Sequence, residues 1–169
     1  MLAWPGWSGI GSIQAQTAAV QAAPEQSSAV AEFRRTVEAG PLFAALTQKF
    51  GKPNEPKVQA DADGVTLTYQ FHGGAHLEAK SNPAIEHWEQ TATLPGLSRE
   101  RALRLLKAAA QTGFGEGGCG LDWAKPEEQS DDGAKGLHSV VYRGDGCNCQ
   151  ARILMKGKVI MGLALSSSC

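Results

Sequence analysis

A chain of 169 residues that is 42% hydrophobic and 20% charged has the make-up of one globular domain, which excludes a fibrous or wholly disordered protein. Its formal charge of -1 provides no net field to draw in nucleic acid or an anionic membrane. The cations Arg99, Arg101, Arg104 and Lys107 lack interleaved aromatics and read as the wet face of a helix.

Residues 1–25 form a leader distinct in composition from the rest of the chain. Met1 to Ala23 carry no charge and are rich in Ala, Gly, Ser and Gln, with Trp4 and Trp7. Val20-x-Ala22 has the small-residue spacing of a signal-peptidase site, which would leave Ala23 as the mature terminus. The segment lacks a basic start, and Pro5, Gly6, Gly9 and Gly11 interrupt its apolar part, so a disordered leader is the competing reading. The expectation is a signal peptide and a periplasmic or secreted protein. No later stretch is long and apolar enough to predict a transmembrane segment.

Residues 26–169 predict a single α+β domain, with helices packed on one face of an antiparallel sheet. Ser27 or Ser28 would cap a first helix through Val30, Phe33 and Val37, closed by Gly40. Pro41 opens a second helix that Gly51 ends. Val65, Leu67 and Tyr69 alternate with polar residues and predict a strand. His72-Gly73-Gly74-Ala75 predicts a two-residue turn that would set His76 opposite Phe71, and a further strand runs from Ile85 to Leu94. Ser98 begins the longest helix, with Ala102, Leu103, Leu106 and Ala110 as its apolar stripe. A glycine-rich loop then carries Cys119, followed by a polar, acidic excursion over Asp122 to Gly136. Strands resume at Leu137 to Arg143, Cys147 to Met155 and Val159 to Leu165. Both halves run helix then strands, with Tyr69 to Gly74 corresponding loosely to Val140 to Asp145; a decayed repeat and mere recurrence of α+β grammar both account for this.

All four cysteines, Cys119, Cys147, Cys149 and Cys169, fall in the last third of the chain. In an exported protein they read as two disulfides. Pairing Met155 with Val159 puts Ile153 opposite Met161, Ala151 opposite Leu163, Cys149 opposite Leu165 and Cys147 opposite Ser167, with the apolar set on one face. Cys147 and Cys149 then share the core face and cannot easily bond to each other. The preferred pairing is Cys147–Cys169 with Cys119–Cys149, against Cys119–Cys147 with Cys149–Cys169.

Metal and cofactor chemistry finds little support. Cys-x-Cys is an unusual zinc spacing, Cys-x-x-Cys is absent, and His72 and His76 need not converge. There is no Gly-x-Ser-x-Gly elbow, and Gly113 to Gly118 lacks the Gly-Lys-Ser/Thr ending of a phosphate loop. No cofactor, metal ligand or catalytic residue is therefore assigned. The expected function is non-catalytic: an exported, disulfide-stabilised module that binds another protein, as an inhibitor, an immunity-type protein or an envelope accessory factor. Trp123, Asp122, Glu127, Glu128, Asp131, Asp132 and His72 are the candidate contact residues, because aromatic anchors dominate binding hot spots and the acidic loop and hairpin tip are exposed. The alternatives are a thiolate metal-binding protein and a small hydrolase built around His87 or His138.

Overall fold

Proline and glycine punctuate the start of the domain. In the structure, a computed structural model that describes residues 24–114, 118–130, 136–146 and 148–168, helix α1 spans Pro24–Glu38 and α2 spans Pro41–Phe50. Ser27 and Ser28 lie inside α1 instead of capping it. Pro24 suits a first turn, because its ring presets φ and its missing N–H would find no partner there. Gly51 ends α2 at φ 83, its N–H bonded to the Thr47 carbonyl. The helices bury Val37, Leu42 and Leu46.

A four-stranded meander comes next: β1 (Lys57–Asp61), β2 (Gly64–Gln70), β3 (His76–Asn82) and β4 (His87–Thr93). β1 alternates only Val58 and Ala60 with polar residues and is exposed throughout; its ladder to β2 makes it a strand. The turn after β2 is longer than predicted. Gln70, not Phe71, opposes His76, and Phe71 N–H bonds to the Ala75 carbonyl at 2.9 Å around a 3-10 turn at His72–Gly74. Gly73 and Gly74 there take φ 72 and 80. β4 starts at His87 instead of Ile85, because Pro83–Ile85 form a second 3-10 turn in which Asn82 accepts from Ala84 N–H.

Helix α3 spans Arg99–Gly113, with the Ser98 hydroxyl accepting from Arg101 N–H at 3.3 Å. Its stripe buries Ala102, Leu106, Ala109 and Ala110. A second meander completes the chain: β5 (Glu127–Ser130), β6 (Leu137–Arg143), β7 (Gln150–Lys156) and β8 (Val159–Ser168). β5 turns part of the acidic excursion into an edge strand.

The strands form one eight-stranded antiparallel sheet in the order β1-β2-β3-β4-β8-β7-β6-β5. The two meanders join where β4 pairs with β8. The helices pack on the face that carries Leu67, Tyr69, Leu77, Ala79, Ala92, Val140, Tyr142, Ala151, Ile153, Leu163 and Leu165, all buried in one core. Each half runs helix then four strands, so β2 and β6 hold equivalent places. That likeness of topology does not require a common ancestor.

The closing hairpin departs from the predicted register. Lys156 pairs with Val159 around a Gly157-Lys158 turn, and Met155 pairs with Ile160. Met161 then stands without a β7 partner at a bulge, beyond which Leu154 opposes Gly162, Ile153 opposes Leu163 and Ala151 opposes Leu165. The cause is a conflict of parity. Ile160 and the pair Leu163 and Leu165 cannot share a face in a regular strand, yet all three are core residues, 4%, 0% and 2% exposed. One extra residue at Met161 reconciles them. Cys149 accordingly lies by Ser167, Sγ 3.6 Å from the hydroxyl oxygen, and not by Leu165. Cys147, expected opposite Ser167, falls outside the described residues.

Candidate functional site

Cys119 and Cys149 are joined in a disulfide, their Cα atoms 6.2 Å apart. This is one bond of the preferred pairing; the other, Cys147–Cys169, lies outside the described residues. The bond is reached by a close approach of backbones. A Cβ on Gly144 would strike the Cys119 carbonyl, and Asp122 N–H bonds to the Arg143 carbonyl at 3.0 Å. Cys119 itself takes φ 60, so the left-handed turn is not left to the glycines alone. Two of the four sulfurs that a thiolate metal site would use are thereby bonded to each other. Among the described residues, no three His, Cys, Asp or Glu side chains gather as metal ligands.

Of the expected contact residues that the structure describes, His72 lies apart from the others. Trp123 is half-buried, its ring 5.0 Å from that of Tyr142 and covered by the Lys107 ammonium at 5.5 Å. Asp122 accepts from Ala124 N–H and faces Lys125 at 3.6 Å. Glu127 accepts from Arg143 at 2.9 Å, which leaves Glu128 exposed beside it on the β5 edge. Asp131 and Asp132 fall outside the described residues. His72 is exposed, but it sits in the β2–β3 turn, and β4, β8, β7 and β6 separate those strands from β5. The acidic excursion is therefore partly neutralised, by Lys125 within it and by Arg143 of β6, and His72 is separate from it.

The other face of the sheet carries none of the described helices. There Arg152 of β7 donates from Nη2 to Glu89 of β4 at 3.1 Å. Both strands flank β8, so the bridge crosses β8 at Ala164 and Ser166, the residues opposite Arg152 and Glu89. Ala164 is only 1% exposed, although none of the described helices packs on this face. Beside the bridge is a cavity of about 440 Å³, lined by the apolar Leu137, Leu154, Met155 and Met161 together with His138, Ser139 and Arg152. Gln129 and Ser130 of β5 border it. Among the described residues its wall has one permanent cation and no carboxylate, and Arg152 Nε is buried without a hydrogen-bond partner there. The bulge contributes directly, since it takes Met161 out of the core face.

A second, smaller cavity of about 270 Å³ lies between the helical hairpin and the 52–56 loop. On its wall the Tyr69 hydroxyl donates to Glu38 at 3.1 Å, while Arg34 holds Glu38 at 2.6 Å and Glu55 at 2.8 Å. Burial, then the Glu38 carboxylate, pushes the Tyr69 phenol above the usual tyrosine range. Hydrogen bonds to Glu55 and Glu38 hold Arg34 firmly charged. These groups satisfy one another and read as a structural clasp.

His138 shares the larger cavity with Ser130 and Ser139, but no hydrogen bond joins the ring to either hydroxyl, as a nucleophile–base pair requires. His87 lies at the far end of the sheet near Asp61 and Asp63. Among the described residues no helix is long and apolar enough to cross a membrane.

Leu137, Leu154, Met155 and Met161 were not among the residues expected to bind. Their signal in the sequence is a broken alternation: Ile153-Leu154-Met155 and Val159-Ile160-Met161 each put three apolar residues in a row, which a strand cannot bury on one face. The chain matches no protein-family model, no curated protein and no solved structure.

Proposed function

We propose that the chain is an exported, disulfide-stabilised, non-catalytic module that binds another protein through the open face of its sheet. The observation that carries this reading is the apolar-floored cavity on the face opposite the described helices. Helices seal the opposite face, so Leu137, Leu154 and Met161 are placed to receive an apolar side chain of a partner. Methionines on such a wall adapt their shape to what enters. The same face carries the ion pairs Lys80–Glu78, Arg152–Glu89 and Arg143–Glu127, and Arg152 lines the cavity itself. The disulfide supports an oxidising compartment.

The test is a photo-crosslinking residue at position 154, with a control at exposed Arg104 on α3, exposed to envelope extract. The reading expects one protein to be captured from position 154 and not from 104. Once purified, that protein should bind the wild type and lose at least roughly tenfold affinity for Leu154→Glu, checked for native circular dichroism. Identical capture from both positions, or equal affinity for the variant, refutes the reading.

A further inference from the structure

The edge strand β1 offers a second surface, independent of the cavity. Its sequence, Lys57-Val58-Gln59-Ala60-Asp61, is complementary to itself in charge when laid antiparallel. With Gln59 at the centre, Lys57 meets Asp61 of a second copy at both ends and Val58 meets Ala60.

The free backbone groups agree with that alignment. Asp61 and Gly64 close a two-residue turn as a hydrogen-bonded pair, and such pairs alternate along an antiparallel ladder. Lys57, Gln59 and Asp61 thus turn their main-chain groups to β2, while Val58 and Ala60 turn theirs to the open edge. In the self-paired arrangement Val58 and Ala60 are the residues that would exchange hydrogen bonds.

Three further observations point to the same occupant. Val58 is 47% exposed, one of the few large apolar side chains left in solvent. Neither Lys57 nor Asp61 has an ion-pair partner among the described residues; Asp61 accepts only from Asp63 N–H. The other edge, β5, carries Glu127 and Glu128 with no cation on the strand, and Glu127 is already held by Arg143. An edge strand invites pairing unless it is blocked, and on β1 the charges suit a second copy of β1.

We infer that the protein forms a two-fold symmetric dimer by antiparallel pairing of β1 with β1 of a second copy, the Lys57–Asp61 pairs fixing the register. Such an isologous contact closes on itself and ends at two subunits.

The experiment is sedimentation equilibrium of the full protein and three variants, each checked for native circular dichroism. The wild type should show a concentration-dependent monomer–dimer equilibrium. Lys57→Asp and Asp61→Lys should each raise the dimer dissociation constant at least roughly tenfold, because like charges then face each other. An equimolar mixture of these two variants should form a heterodimer, and the double variant Lys57→Asp with Asp61→Lys should dimerise alone. A wild type that stays monomeric at every concentration reached overturns the inference. Dimerisation that both single reversals leave intact, or single variants that fail to complement each other in the mixture, also overturns it.

Discussion

Arg152 and Glu89 meet at 3.1 Å across a strand to which neither belongs. One lies in the second meander and the other in the first, so the pair stitches the two halves together over β8. Their side chains are 30% and 28% exposed, which keeps the attraction modest. A double-mutant cycle of Glu89→Gln and Arg152→Met, read by urea unfolding, should give a coupling of about 0.5–1 kcal/mol. Ala164→Leu should cost more, about 1–3 kcal/mol, because the added carbons would lift the bridge.

The bulge at Met161 predicts a reversal of roles for two neighbours. Ile160→Ala should destabilise by about 2–4 kcal/mol, since Ile160 is in the core. Met161→Ala, on the cavity wall, should cost under about 1 kcal/mol. A regular register would bring the opposite order, so chemical denaturation of the two variants separates the arrangements.

Tyr69 makes stability fall in alkali. Its phenol is held protonated above the usual tyrosine range, by burial first and then by the Glu38 carboxylate. The unfolded chain would release that proton near the ordinary value of about 10, whereas the folded chain keeps it. The Tyr69 contribution is therefore complete below about pH 10 and is lost as pH rises toward the raised folded value. Tyr69→Phe should lower stability at neutral pH by about 1–3 kcal/mol, because it removes a hydrogen bond to a charged group. Unfolding free energies measured from about pH 9 to about pH 11 should fall less steeply in the variant than in the wild type.

The Cys119–Cys149 bond closes a loop with a sequence separation of 30. Replacing both residues with serine should cost about 3–4 kcal/mol, by the loop-closure entropy of a chain of that length. Gly144→Ala should hinder formation of the bond, since its Cβ would strike the Cys119 carbonyl. Thiol titration of the unfolded, unreduced variant should then find more free thiol than in the wild type.

Much of the fold was legible in local pattern. Pro41 and Gly51 bounded α2, Ser98 capped α3, and alternation from Leu137 to Arg143 marked β6 with its observed ends. β1 and β5 were not read as strands: β5 holds no apolar residue, and β1 has only Val58 and Ala60, both exposed, as its alternation. The expected contact residues were chosen for exposure and charge. Asp122 and Glu127 prove to be partnered by Lys125 and Arg143, whose proximity depends on the paired strands and the turn beside them. The cavity residues were hidden for another reason. Met161 looked like core because the expected register set it opposite Ile153 on the apolar face, and Leu154 was not singled out.

The α+β class and the single apolar face against which the helices pack are written in the order of the residues alone. Both come from periodicities of two and 3.6 residues, which are local properties of the chain. The pairing of β4 with β8, the outward bulge at Met161 and the reach of Arg152 to Glu89 over an intervening strand emerge only when the whole sheet assembles. They depend on which long-range contacts together bury Ile160, Leu163 and Leu165 in one core, and no local pattern specifies such a sum.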